Sequence, residues 1–316
     1  MNASERVEQT AASAVNVRAD GWTPWRELPR SKRLRLAGCV GYLILLALAF
    51  IRPLTRLTLY AAKSDLNSYI LLVPFIAGYL IYTQRVRIQA ACRGSIAGTV
   101  TVGGIGFATL VAGVVWSRSL SINDGLSLAA LAFVSFAAVG GFLFLGARWM
   151  AARTFPVAFL IFMVPLPDAA VDGLENASML ATAEAAALFF NVAGTPMVRE
   201  GTVFQLPGIV LQVARECSGI HSSWVLFLTA LLASHLFLRT WWRRIVLVAF
   251  VIPLGIVRNG FRVFVIGQLC VHIGPYMIDS KIHRQGGPFF FALSLVPVFL
   301  LLLWLRHRER RLNLPC

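Results

Sequence analysis

Residues 214–238 read ARECSGIHSSWVLFLTALLASHLFL. Two charged groups, a cysteine and a histidine are crowded into the first eight positions, and an apolar run follows at once. A helix of about 20 apolar residues crosses a hydrocarbon core about 30 Å thick. The stretch from 218 to 238 therefore reads as a membrane crossing whose mouth carries chemistry. Working outward in both directions, runs of similar length recur at 35–51, 67–83, 97–116, 125–146, 150–166, 245–265 and 288–305, which makes eight crossings. The expected fold is all-α, a polytopic transmembrane helix bundle.

Composition agrees. Of the 316 residues 58% are hydrophobic and 14% charged, against about a quarter charged in a soluble chain. The formal charge of +15 comes from Lys and Arg in short clusters between apolar runs. That is how topogenic loops are built, so nucleic acid is not expected as a partner and the lipid bilayer is. The opening MNASERVEQTAASAVNVRADGW lacks the apolar stretch of a cleavable signal. Residues 1–33 read as a cytoplasmic tail, 34–306 as one integral membrane domain and 307–316 as a basic cytoplasmic tail.

Orientation follows from the basic clusters, which stay cytoplasmic. Arg26, Arg30, Lys32, Arg33 and Arg35 precede the first run; Arg85, Arg87 and Arg93 fill one loop, and Arg148 and Arg153 another. Arg239, Arg243 and Arg244 form a later turn, and Arg306, Arg308, Arg310 and Arg311 the tail. Both termini then face the cytoplasm. The run 172–194, DGLENASMLATAEAAALFFNVAG, is long enough to cross but carries Asp172, Glu175 and Glu184. The charge pattern favours an interfacial or re-entrant helix at the outer face. A full crossing, with an earlier run failing to cross, is the other reading.

Cys39, Cys92, Cys217, Cys270 and Cys316 show no CxxC spacing, so neither a zinc site nor a disulfide framework is expected. A Cys217–Cys270 disulfide on the outer side stays open as an alternative. The glycines of GGIGFATLVAG, 103–113, lie inside an apolar run, where they serve close helix packing rather than phosphate binding. No cofactor or metal is expected, and oligomeric state is not legible.

With this topology Cys217, Arg262 and His283 arrive at one membrane face. A thiolate is favoured by a helix N-terminus and a nearby cation. Arg262 also suits an oxyanion, and His283, titrating near neutrality, suits proton transfer. Together they fit acyl transfer by a nucleophilic thiol. Glu216 beside the thiol orients a cation or opposes the thiolate. Taken singly, each residue has an ordinary role in packing or at the lipid interface. Two other classes stay open: a transporter with Arg262, His283 and Glu216 along a polar path, and a non-catalytic assembly factor for exopolysaccharide export. A transporter of that kind carries internal repeats, and none is evident.

Motif order resembles the exosortase/archaeosortase family of membrane cysteine transpeptidases. RECSGIHSS holds Cys217, Ser218 and Gly219; RNGFRV holds Asn259 and Arg262; KIHRQGG holds His283. FPVAFLIFMVPLP at 155–167, REGTVFQLPGIVLQV at 199–213 and NSYILLVPFIAGYLIYTQR at 67–85 look like further family blocks. The resemblance implies catalytic Cys217, Arg262 and His283, with Ser218, Gly219, Asn259, Glu216 and His221 in support. It implies a bacterial inner membrane, an active site facing the periplasm or outside, and secreted partners with a C-terminal sorting signal. Two departures stand out. Ser68, Tyr69 and Ile70 replace the family's Ser-His-Gly, and His221 stands where an Arg is common. Arg258 lies one turn before Arg262, and the Asn-x-x-Arg spacing favours Arg262. His235, His272 and His307 read as packing, interfacial or tail residues, and Pro156, Pro165 and Pro167 as kinks or turns.

Overall fold

The computed structural model describes residues 30–64, 67–83, 94–213, 219–274, 276–277 and 287–312. The chain divides into two compact units, Met1–Pro167 and Asp168–Cys316.

In the first unit, α1 (Arg30–Ala49) and α2 (Ile51–Lys63) meet at Phe50, and the pair bends by 73°. Pro53 sits in the first turn of α2, where a missing N–H is tolerated. Phe50 packs against Phe133 and Phe136 at ring separations of 5.8 and 6.2 Å. The 3₁₀ turn Ser68–Leu71 leads into α3 (Val73–Thr83), and this piece is shorter than a crossing. Next come α4 (Ile96–Val115) and α5 (Ile122–Gly140), the latter extended by a π turn over Gly141–Leu145. Both start on serine caps: Ser95 Oγ accepts from the Gly98 N–H at 3.3 Å, and Ser121 Oγ from Asp124 at 3.0 Å. Gly106 lets α4 approach Ser135 and Phe136 of α5. Of the glycines in 103–113, Gly106 thus serves close packing, whereas Gly104 has nothing within 4 Å of where a Cβ would stand.

The run 150–166 is not a continuous crossing. It breaks into α6 (Ala147–Ala152), α7 (Thr154–Phe159) and a 3₁₀ turn, Leu160–Met163. Buried Arg153 stands at the first break, with its guanidinium 4.6 Å over the Trp149 ring. The proline-rich end is anchored by polar groups on α5. Asn123 Nδ2 donates to the Leu166 carbonyl at 2.7 Å, and Ser127 Oγ to the Pro165 carbonyl at 2.9 Å. These bonds satisfy carbonyls that a broken helix leaves orphaned.

The second unit opens with α8 (Asp168–Val192), one unbroken helix of 25 residues. The run expected as an interfacial or re-entrant helix, 172–194, is thus helical without a break as far as Val192. Three antiparallel strands follow, β1 (Val198–Glu200), β2 (Val203–Leu206) and β3 (Ile209–Gln212), in the order β1-β2-β3. Gly201 and Gly208 take positive φ at the two turns. This sheet adds to a bundle that is otherwise helical as expected. Then come α9 (Ile220–Phe237), α10 (Trp241–His272) and α11 (Gly287–Leu312).

Directions follow from contacts. Side by side, α9 and α10 are antiparallel: Gly219 meets Asn259, and Gly255 meets Ser223. Likewise α11 runs against α10, with Phe290 near Phe261 and Glu309 at Arg239–Arg243. In contrast, α8 runs in the same direction as α10, since Gly260 lies against Ala185 and Ala186, and Gly267 against Phe190. A helix of 25 residues is about 37 Å long. Running beside α10, α8 has the length of a crossing. Its small face, Ala183, Ala186 and Ala187, is buried, and Glu184 points out to Arg199 at 2.7 Å.

A core of Phe190, Phe204, Leu206, Leu211, Val213, Val263, Ile266 and Cys270 joins α8, the sheet and the second half of α10. Cys270 is a free thiol inside it, so the Cys217–Cys270 disulfide is not formed. Among the described residues five helices are long and apolar enough to cross a membrane, or up to seven if two bent pairs each count as one span, against the eight read from the runs.

Candidate active site

The cysteine motif lies in the chain between β3 and α9. Glu216, Cys217 and Ser218 lie outside the described residues, as does His283. The chain is described again from Gly219, which caps α9 with φ 63° and ψ 17°. This left-handed conformation favours glycine. The space beside it is also taken: a Cβ on Gly219 would collide with the Asn259 carboxamide. Two motif residues 40 positions apart in the chain therefore touch, and the contact leaves no room for any residue but glycine.

The polar group that binds this mouth together is Arg258. It is 7% exposed. Its Nη2 donates to Ser222 Oγ at 2.7 Å, to Ser223 Oγ at 3.0 Å and to the Gly219 carbonyl at 3.4 Å. Its Nε and Nη2 also reach Asn259 Oδ1 at 3.3 and 3.1 Å. The Gly219 carbonyl is held by two further donors, Ser222 Oγ at 3.0 Å and the Ser223 N–H at 2.9 Å. Buried Nη1 of Arg258 has no acceptor among the described residues. The described partners of this guanidinium are all neutral oxygens, and its positive charge stands at the helix mouth beside the positive end of the α9 dipole.

Arg262 lies one turn further along α10 and is half-buried. His221, in the first turn of α9, is half-buried, and its Nδ1 has no acceptor or donor among the described residues. The structure thus brings together Gly219, His221, Asn259 and Arg262 of the expected set, and adds Arg258, Ser222 and Ser223. Sequence reasoning passed over Arg258 in favour of the Asn-x-x-Arg spacing. The signal that finds it is helical periodicity: Gly255, Arg258, Asn259 and Arg262 share one face of α10 at spacings of three and four. Phe290, at the start of α11, is beside Phe261 with a ring separation of 6.4 Å. The start of α11, four residues after His283 in the chain, therefore lies beside the Phe261 turn of α10. No cluster of His, Cys, Asp or Glu suited to a metal occurs among the described residues.

The family model described as transmembrane exosortase (Exosortase_EpsH) matches residues 60–300. The chain belongs to the transmembrane exosortase family. No curated protein and no solved structure matches it. The exosortase match runs from α2 into α11, so it takes in both units and every motif on which the resemblance rests. With its several apolar helices, this exosortase is a multi-pass membrane protein.

Proposed function

We propose that this exosortase is a membrane cysteine transpeptidase or protease that cleaves the C-terminal sorting signal of secreted proteins through a Cys217 thioester. The observation that carries the reading is the contact of Gly219 with Asn259. It joins the Cys-Ser-Gly and Asn-x-x-Arg motifs in one helix mouth, with Cys217 two positions along the chain from Gly219.

In the proposed reaction the Cys217 thiolate attacks a peptide carbonyl carbon, and Arg262 stabilises the developing oxyanion. The C–N bond then breaks, the leaving amine takes a proton from His283, and the acyl group remains as a thioester. A second amine, or water, attacks that thioester, gives its proton to His283 and releases the Cys217 thiolate, so both groups return to their starting forms. Arg258 and the α9 N-terminus supply positive potential that favours the thiolate. Glu216, Ser218, Asn259 and His221 support the site. The partner is a secreted protein ending in a short motif, a membrane span and a basic tail, which anchors in the same bilayer as the enzyme. The location is the bacterial inner membrane, with the α9 mouth facing the periplasm or outside and both termini cytoplasmic.

The test is trapping. The protein and a Cys217→Ala variant are purified from cells co-expressing candidate tail proteins, and intact mass is measured before and after hydroxylamine. A hydroxylamine-labile adduct seen only with Cys217 is the expected result. Normal processing of the tail protein by the alanine variant, with no adduct, would sink the nucleophile and leave a transporter or assembly role.

A further inference from the structure

Among the described residues the three-stranded sheet has an unpaired edge at β3, the last strand before the cysteine motif in the chain. In an antiparallel pair, residues alternate between bonding their partner and turning their backbone groups to the other side. The Val213 N–H donates to the Thr202 carbonyl at 3.0 Å. With Leu211 opposite Phe204 and Ile209 opposite Leu206, these are the bonded positions of β3. Val210 and Gln212 therefore turn their N–H and C=O groups away from β2, to the edge. Among the described residues no further strand pairs with them.

The two edges of the sheet are not alike. The β1 edge carries Arg199 and Glu200, and the Arg199 side chain is tied to Glu184 and to the Gly201 carbonyl. Charged side chains are how sheet edges are protected from added strands. In contrast, β3 reads IVLQ, with no charge, proline or bulge, and Val210 is 63% exposed. Leu211 on its other face is buried in the core shared with α8 and α10, so the strand is held rigidly. Five positions after Gln212 in the chain comes Cys217.

We infer that β3 is the docking strand for an extended polypeptide segment, which pairs with the backbone of Val210 and Gln212 as a fourth strand. The inference rests on the proposed transpeptidase reading for its occupant, the stretch of a secreted protein just outside that protein's own membrane span. Such a segment must be extended to present a peptide bond for attack, and an open edge binds extended chain through backbone groups alone. Side chains then alternate between the outer face beside Val210 and Gln212 and the face beside Leu211. Specificity for a short motif comes from those alternate positions, and affinity from the strand pairing.

The test uses the full-length chain in detergent with a co-expressed tail protein, in two arms. In the Cys217→Ala chain, backbone amide exchange is followed with and without the tail protein. The expected result is a slowing of the Val210 and Gln212 amides by roughly tenfold, with the β1 edge unchanged. In the Cys217 chain, Val210→Pro removes one edge N–H without touching the β2–β3 bonds, and the adduct yield should fall by roughly tenfold. Retained slow exchange at Leu211 and Val213 establishes that this variant is folded. Tail protein that forms the adduct, or protects other segments, while β3 exchange is unchanged overturns the inference. So does a folded Val210→Pro chain with full adduct yield. Protection of β3 that appears without tail protein and rises with enzyme concentration identifies a second copy as the occupant, which also overturns it. Protection of β3 by the tail protein with no adduct in any form upholds the docking strand and removes the transpeptidase reading. Absence of both protection and adduct removes both.

Discussion

The α9–α10 hairpin has a polar cluster at each end, and the two are built on opposite principles. At the turn, Glu309 of α11 is 5% exposed and fully engaged. It accepts from the Arg239 N–H at 3.0 Å and the Thr240 N–H at 2.7 Å, takes the Thr240 hydroxyl and lies 3.7 Å from the Arg243 guanidinium. At the mouth, Arg258 is nearly as buried, yet its described partners are neutral and one N–H has no described acceptor. A buried anion met by donors and a cation is a lock. A buried cation whose described partners are all neutral oxygens is a source of positive field, of a kind that concentrates at functional sites.

The comparison is broken most severely by Gly219→Ala. The variant needs a left-handed alanine in space that Asn259 fills. Adduct formation at Cys217 should fall by at least about a hundredfold, or ~2.7 kcal/mol in the barrier, while circular dichroism keeps its helical signal. An unchanged adduct yield would detach the mouth from the chemistry. Glu309→Ala should act on the fold instead. It leaves two buried backbone N–H groups and Arg243 without their acceptor, at about 3 kcal/mol. Unfolding in denaturant should report that loss, and a stable Glu309→Ala protein would refute the lock.

Arg258→Met sharpens the contrast. Replacing a buried charge that has no anionic partner among the described residues by an apolar chain of similar length removes its desolvation cost, and Ser222 keeps its bond to the Gly219 carbonyl. The melting temperature should hold or rise, while the adduct yield falls roughly tenfold and the pH midpoint for Cys217 alkylation moves upward. A fall in both stability and yield, with no movement of that midpoint, would make Arg258 a structural residue only. Smallest of all is Glu184→Gln, which weakens the exposed pair with Arg199 and should leave the melting temperature within about 1 °C.

Several of these features were legible in the chain. The runs 97–116, 125–146 and 218–238 became helices over Ile96–Val115, Ile122–Leu145 and Ile220–Phe237, because a crossing requires one dominant signal, sustained apolarity. Apolarity alone does not distinguish a straight helix from a bent one. Hence 35–51 carries on past a 73° bend, and 150–166 breaks at Arg153. The sheet was missed because strands of three or four residues show no periodicity, although Gly201 and Gly208 marked its turns. At the site, motif spacing pointed to Arg262 and Asn259, whereas Arg258 emerged only when α9 and α10 were side by side. Its partners, Ser222 and Ser223, lie 36 and 35 positions away.

Pro253 is the one proline inside α10, and the helix continues through it for 32 residues, about 48 Å. That exceeds a bilayer core by about 18 Å. The sheet packs on the second half of α10. Under the proposed function, with the α9 mouth at the outer face, α10 would act as a ruler: it would set the number of residues that a membrane-anchored partner places between its last buried residue and the bond presented to that mouth. On that reading, lengthening or shortening the spacer by a few residues moves the bond out of register, whatever its sequence.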